Sequence, residues 1–196
     1  MSRSSECSSR LAFTARLILV VSLLWVTSAL TTSALATYEI GDTIADFTLN
    51  DLTGTPVSLS DYSGDIIVIN FFATWCPGCN VEAFELENNI HLAYQQYNVT
   101  VLAIDILEDP AIVQDWVTAQ AVTYQILLAP DWDLFSSFPK AGGIPYNAII
   151  DADGVLRYAT IMFDQEAIIL TLDTLLGLNT VAGQESTFGQ LKALFR

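Results

Sequence analysis

Eight residues, Asp65-Ile-Ile-Val-Ile-Asn-Phe-Phe72, are almost wholly apolar and rich in β-branched side chains. A run of this kind, without alternation of polar and apolar positions, is a strand buried on both faces of a sheet, as strands are when helices cover a parallel sheet. From about Pro77 to Tyr97 the apolar positions Leu86, Ile90, Ala93 and Tyr97 fall at helical spacing. Cys76 and Cys79 stand where that strand ends and that helix begins.

The remaining patterns complete a sheet around this unit. Phe47 and Leu49, then Val57 and Leu59, alternate around Asp51-Leu-Thr-Gly54 and predict a β-hairpin. Val99 to Ile106 and Tyr124 to Leu128 read as core strands, separated by a helix that opens on Asp109 as cap and Pro110 as first residue. Asp131 to Phe138 reads as a short helix or irregular turn. Tyr146 to Ile150 and Val155 to Met162 predict a hairpin across Asp151-Ala-Asp-Gly154, and Asp164 caps a last helix that stops at Gly177. A hairpin, then βαβαβ, then ββα predicts an α/β fold with a central mixed sheet flanked by helices on both faces and an added N-terminal β-hairpin.

The chain has 196 residues and one domain's worth of core: 52% hydrophobic, only 15% charged. Its charge is unevenly placed. Arg3, Arg10 and Arg16 precede the apolar run Leu17 to Val26, which softens into Thr and Ser before Ser33-Ala-Leu-Ala36. Basic, apolar and small-residue segments in that order predict an export signal over residues 1–36, cleaved before Thr37. The competing reading is a retained signal anchor, a membrane tether, since the uncharged stretch to Tyr38 is long enough to span a bilayer. Both readings place residues 37–178 outside the cytoplasm, in the periplasm or at the outer face of the cytoplasmic membrane. Residues 179–196 form a C-terminal tail whose pattern is less determined.

Setting aside Arg3, Arg10, Arg16 and Glu6 from totals of 7 basic and 22 acidic residues leaves 4 against 21, a formal charge of −17. So acidic a domain excludes nucleic acid as a partner, because it repels a phosphate backbone instead of replacing its counterions.

Cys7 lies ahead of the apolar run and leaves with a cleaved signal, so Cys76 and Cys79 remain. At a helix N-terminus the free N–H groups and the positive end of the dipole stabilise a thiolate, and Pro77 suits the first turn. Cys76 is expected to be the exposed, acidic thiol and Cys79 its buried partner, the two switching between dithiol and disulfide. A purely structural bridge over so short a loop stabilises little. A zinc site lacks ligands, with His91 the single histidine. C-x-x-C beside a βαβ pattern thus points to redox exchange, with no metal and no cofactor beyond the dithiol.

Asn70-Phe-Phe-Ala-Thr-Trp-Cys-Pro-Gly-Cys79, Glu82, Ala103-Ile-Asp-Ile-Leu-Glu108, Gly143-Ile-Pro145 and Ala148-Ile-Ile-Asp151-Ala-Asp-Gly154 resemble the TlpA/ResA branch of the thioredoxin superfamily over roughly Ile40 to Leu176. The resemblance implies a thioredoxin-like fold and thiol-disulfide exchange. It makes Cys76 the attacking and Cys79 the resolving cysteine, Pro145 a cis-proline facing the disulfide, and Ile144 a backbone partner for a substrate strand. Trp75, Pro77 and Gly78 would border the substrate. Glu108 matches a partly buried glutamate that accepts the proton of the resolving cysteine; its plain alternative is a carboxylate that complements the dipole of the helix after it. Asn70 stands where cytoplasmic thioredoxins carry an aspartate and cannot shuttle a proton. Asn80 and Phe84 replace an arginine and a proline, so the helix should be less kinked, and Tyr146 replaces a small residue after the cis-proline, which bears on substrate preference. Trp132, Phe135 and Phe138 are read as core packing or, with Trp75, as an apolar docking surface.

The implied partners are disulfide-containing exported proteins as substrates, including those awaiting haem attachment in cytochrome c maturation, and a membrane thiol transporter as electron donor. An oxidase that forms disulfides in exported proteins is the alternative. A thiol peroxidase of this fold needs a threonine and a proline where Ala73 and Ile69 stand, and a copper-delivery protein needs wider cysteine spacing and a histidine better placed than His91. The −17 charge predicts that covalent capture of a basic partner slows as ionic strength rises. A trapping rate unchanged between low and high salt would assign the acidity to solubility alone.

Overall fold

A computed structural model describes residues 37–178; the expected export signal and C-terminal tail lie outside the described residues. The strands are β1 (Thr48–Asp51), β2 (Pro56–Ser58), β3 (Ile66–Phe72), β4 (Val99–Ile106), β5 (Gln125–Ala129), β6 (Tyr146–Ile150) and β7 (Leu156–Ile161). They form one seven-stranded sheet in the order β2-β1-β5-β4-β3-β6-β7. β3 pairs parallel with β4, from Ile66 opposite Val99 to Phe72 opposite Asp105, and antiparallel with β6 on its other side. The N-terminal hairpin joins the sheet through β1, which runs antiparallel to β5.

Every residue of β3 is buried, and its side chains divide by parity between two cores. Ile66, Val68 and Phe72 pack under three helices: α1, which begins as Pro77–Glu85, α2 (Pro110–Gln120) and α4 (Gln165–Leu175). Ile67, Ile69 and Phe71 face the opposite layer, where α3 (Asp133–Ser137), a 3-10 turn at Leu59–Tyr62 and the segment from Tyr38 to Phe47 close the sheet. β3, β4 and β5 follow one another in one direction across the sheet, and right-handed crossovers then put α1 and α2 on one face. Among the described residues no helix is long and apolar enough to cross a membrane.

The caps read from the sequence act as caps. The Asp109 side chain accepts the Ala111 N–H at 2.9 Å with Pro110 following, and Asp164 accepts Ala167 N–H at 3.1 Å. At the β6–β7 turn Asp151 accepts N–H groups from Asp153 and Val155, while Gly154 takes φ +79°. α1 departs from expectation. After Glu85 it widens into a π-helical stretch, Leu86–His91, before ending in short turns at Leu92–Tyr94 and Gln95–Tyr97. Loss of the family proline at Phe84 therefore does not give a regular helix. The wider turn buries Leu86, Glu87 and Ile90 together, and the Glu87 carboxylate takes both the N–H and the hydroxyl of Thr123, at 2.8 and 2.6 Å.

Phe71 anchors the second core, with ring centroids 5.2 Å from Phe135, 5.3 Å from Phe138 and 6.1 Å from Tyr146. Phe71→Ala should lower the unfolding free energy by about 3–5 kcal/mol. Asp109→Ala, which removes one cap, should cost only ~1 kcal/mol. Urea titrations of both variants check that order.

Candidate active site

β3 leaves the sheet at Phe72 and reaches α1 through Ala73, Thr74 and Trp75. This turn is held from several sides. The Glu108 carboxylate, on the loop after β4, accepts the Thr74 N–H at 2.5 Å and the Thr74 hydroxyl at 2.7 Å. The Thr74 carbonyl accepts the Asn80 amide at 3.2 Å, and the Asn80 oxygen in turn accepts the Trp116 indole N–H at 2.5 Å. Cys76 N–H donates to the Ala73 carbonyl at 3.1 Å, which closes the turn.

Cys76 is the cap of α1 and Pro77 its first residue. The two cysteines are joined in a disulfide with Cα atoms 5.3 Å apart, and Cys76 Sγ accepts the Cys79 N–H at 3.2 Å. The expected exposed Cys76 is not found, since Cys76 is only 4% accessible and Cys79 is buried with it. As a cap, the Cys76 sulfur turns into the helix N-terminus instead of out to solvent. Trp75 and Pro77 on either side remain exposed.

Facing the disulfide loop, the Ile144–Pro145 peptide bond is cis. A side chain at Gly78 would place its Cβ 3.1 Å from Pro145 Cδ, so the absence of a side chain there lets the two loops close on each other. The Pro145 carbonyl is fixed by the Met162 N–H at 2.8 Å. Among the described residues the backbone N–H of Ile144 has no partner, leaving a half-buried edge open beside the disulfide.

Beneath the disulfide lies a polar cluster in an otherwise apolar layer. Glu82 is one helical turn beyond Cys79, and both side chains are buried on the inner side of α1. Its Oε1 accepts the Asn70 amide at 2.6 Å, and the same amide reaches Asn147 Oδ1 at 3.2 Å across the β3–β6 pair. Glu82 Oε2 and Asn147 Nδ2 are buried without a partner. Burial pushes the Glu82 carboxyl up to about 7. A second buried carboxyl, Asp105, is raised by burial and then by its neighbour Glu108, whose N–H it accepts at 3.1 Å.

The sequence-predicted residues thus fall into three groups. Cys76, Cys79, Pro77, Gly78, Ile144, Pro145 and Trp75 converge on the disulfide. Glu108 approaches it only through Thr74, with both carboxylate oxygens engaged there. Tyr146, Phe135 and Phe138 belong to the opposite core, where the Tyr146 hydroxyl donates to the Pro139 carbonyl at 2.8 Å. Tyr146 therefore presents nothing to a substrate. Trp132 rests partly exposed on Phe135. Glu82 stands in the motif without a role in the sequence reading. The signal for it was its position three residues after Cys79, which puts a carboxyl on the buried side of a helix.

A disulfide capping a helix opposite a cis-proline, on this sheet, defines a thioredoxin-like thiol-disulfide oxidoreductase. The AhpC/TSA family pattern matches residues 40–159, and the chain belongs to that family. Within it the chain is of the TlpA/ResA type. It is 29% identical to the thiol-disulfide oxidoreductase ResA of Geobacillus thermodenitrificans over 118 residues, 60% of this chain and 67% of that one. A structure from Bacteroides thetaiotaomicron described as a protein disulfide isomerase superposes with TM-score 0.65 at 27% identity, covering 71% of this chain and 91% of its own. A thiol:disulfide interchange protein of Chlorobium tepidum shares the fold, with TM-score 0.61 at 21% identity, over 72% of this chain and all of its own.

Glu82 has a measurable signature. The native state keeps its proton to about pH 7, whereas the unfolded chain releases it near the ordinary value of 4.5. Between those limits the native state binds more protons, so this group's contribution to stability falls as pH rises from about 4.5 to 7 and is flat beyond. Glu82→Gln should abolish that fall. Urea midpoints of both proteins at pH 5 and pH 8 measure it; equal pH dependence would mean that Glu82 is not a buried, raised carboxyl.

Proposed function

We propose that this protein reduces disulfides in exported proteins outside the cytoplasm, including those of cytochromes c awaiting haem. The observation that carries the reading is the Cys76–Cys79 disulfide at the N-terminus of α1, with cis-Pro145 in front of it and Glu82 behind. The basic-apolar-small N-terminal segment supports export, and the resemblance of the motifs around Cys76 and Cys79 to the TlpA/ResA branch supports reduction as the direction of exchange.

In the reduced protein, Cys76 attacks one sulfur of a substrate disulfide as a thiolate stabilised by the helix N-terminus. The substrate S–S bond breaks, a Cys76–substrate mixed disulfide forms, and the second substrate sulfur leaves as a thiolate. Cys79 then gives its proton to the Glu82 carboxylate and attacks Cys76 Sγ. That step restores the Cys76–Cys79 bond and frees the first substrate sulfur, so that two electrons have passed to the substrate. A carboxyl with a pKa about 7 is matched to this transfer near neutral pH. Glu108, expected from sequence to take this proton, is assigned instead to holding Thr74, because both its oxygens are engaged there. A substrate strand lies along Ile144, whose free N–H supplies a main-chain bond with little demand on sequence. A membrane thiol transporter returns the two electrons to the disulfide.

Ala73, buried and without a hydroxyl, supports exchange over peroxide chemistry, for which this fold uses a threonine at that position. His91 lies twelve residues beyond Cys79, ~18 Å along the helix, with its ring against Tyr124. That position gives no support to a shared copper site.

Cys79→Ser should accumulate a mixed disulfide between Cys76 and exported proteins, visible on non-reducing gels and lost with dithiothreitol. A redox titration of the wild-type protein should give a potential near the thioredoxin value of ~ −270 mV. A potential near ~ −120 mV, at the oxidant end, would instead establish the disulfide-forming alternative.

A further inference from the structure

The outer side of α1 carries an unexpected set of residues. Its inner side is occupied by Cys79, Glu82, Ala83 and Leu86, all buried. Pro77, Val81 and Phe84 are spaced i, i+4, i+7, which places them in one row on the opposite side. Val81 is 75% and Phe84 63% exposed, and Trp75, immediately before Cys76, is 66% exposed. The row holds no charge. Of the two acidic residues adjacent to it in sequence, Glu82 is buried on the inner side and Glu85 is tied to Asn89. Single exposed apolar residues need no explanation, but a row that includes an exposed Phe, with a Trp at its head, forms a contiguous apolar surface of the kind that marks interaction sites. None of these residues is used by either core. The row begins at the reacting disulfide and runs about 10 Å from Pro77 to Phe84 along the helix.

We propose that Trp75, Pro77, Val81 and Phe84 form a docking track for the disulfide-bearing substrate, selecting proteins whose reducible cysteine is flanked by an apolar segment and then by lysine or arginine. This rests on the exchange reading above and adds a substrate preference to it. Two observations fix the occupant. The track starts at Trp75 and Pro77, the exposed neighbours of Cys76 on either side, so a substrate whose disulfide reaches Cys76 brings its flanking residues beside the track. The charge of the domain completes the argument, since residues 37–178 contain twenty acidic side chains and two basic ones, Lys140 and Arg157. A second copy of the chain would bring an equally acidic surface to the track, whereas a basic partner is drawn to it. Apolar contact then supplies the hold, and the surrounding carboxylates supply the attraction and the choice of partner.

The test uses single-turnover reduction by the dithiothreitol-reduced, repurified protein. Three probes are compared: a disulfide-looped peptide flanked by Leu-Val-Leu and two lysines, the same loop flanked by Ser-Gly-Ser and two lysines, and 2-hydroxyethyl disulfide. The wild type should reduce the apolar-flanked peptide about tenfold faster than the polar-flanked one, the scale of one or two well-packed contacts. The double variant Val81→Ser/Phe84→Ser should erase that difference and leave the rate with 2-hydroxyethyl disulfide unchanged. Equal rates on the two peptides in the wild type, or a preference that survives the double variant, would overturn the proposal. Sedimentation showing a wild-type dimer that the double variant converts to monomer would overturn it in favour of a second copy. If the wild type reduces none of the three probes, the exchange reading fails as well, an outcome distinct from loss of preference alone.

Discussion

The clamp on Thr74 is the contact on which the geometry of the site depends. A helix N-terminus stabilises a thiolate only where the chain entering it is held in place, because the dipole effect falls away within a turn. Here the entering peptide is fixed at its N–H and hydroxyl by Glu108 and at its carbonyl by Asn80. Glu108 belongs to the β4–α2 loop and Asn80 to α1, so the disulfide turn is tied to two neighbouring elements as well as to β3. Asn80 is tied further to Trp116, whose ring lies 4.6 Å from Phe72 at the end of β3. The bonds close a ring from β3 through the turn to α1, across to α2, and back to β3.

That arrangement needs carboxyl groups where an apolar core would be cheaper. Asp105 is fully buried and Glu82 nearly so, and each leaves one oxygen without a partner. Each such atom costs about 1–3 kcal/mol. Both carboxyls are driven toward the neutral form by burial, which limits the cost of charge in the layer under α1. Glu108, the third member, is only part-buried and spends its oxygens on Thr74. The carboxyl that holds the turn and the carboxyl placed to exchange a proton are thus different groups, and a sequence alone gives little basis for dividing them.

The reach of the sequence can be followed through individual residues. The run from Ile66 to Phe72 announced a two-sided strand because every position is apolar or amide-bearing, and β3 is buried throughout. Asp109, Pro110 and Asp164 announced helix starts because capping is local chemistry that tertiary context rarely overrides. The parity of β3 and β6 was legible too, but its consequence was not. Asn70 and Asn147 lie opposite each other on the α1 side of the sheet, so Glu82 bonds Asn70, 12 residues away, and Asn70 in turn bonds Asn147, 77 residues from itself. Contacts across such separations carry no periodic signal. Cys76 was misplaced for a related reason: position before a helix is local, whereas the direction of a capping sulfur depends on what it bonds. The π-helical stretch was also hidden, since Leu86, Glu87 and Ile90 fit a regular helix as easily until Thr123 is seen to need the Glu87 carboxylate.

The division of the surface follows from the same economy. With twenty acidic groups and two basic ones in the described domain, almost no surface carboxylate can find a cation of its own. Arg157 with Asp151 is the one ion pair among the described residues. Carboxylates are therefore satisfied by backbone and hydroxyl donors, as at Asp46 with Ser60 and Asp51 with Thr53 and Thr55. Those bonds hold the pKa of both groups below the ordinary carboxylate value and keep them charged. The result is a durable negative field over most of the molecule, interrupted where Trp75, Pro77, Val81 and Phe84 face solvent. A field of one sign is felt at a distance and an apolar row only on contact. A partner is then drawn in by charge before it is retained by packing, and the disulfide sits where the second of these begins.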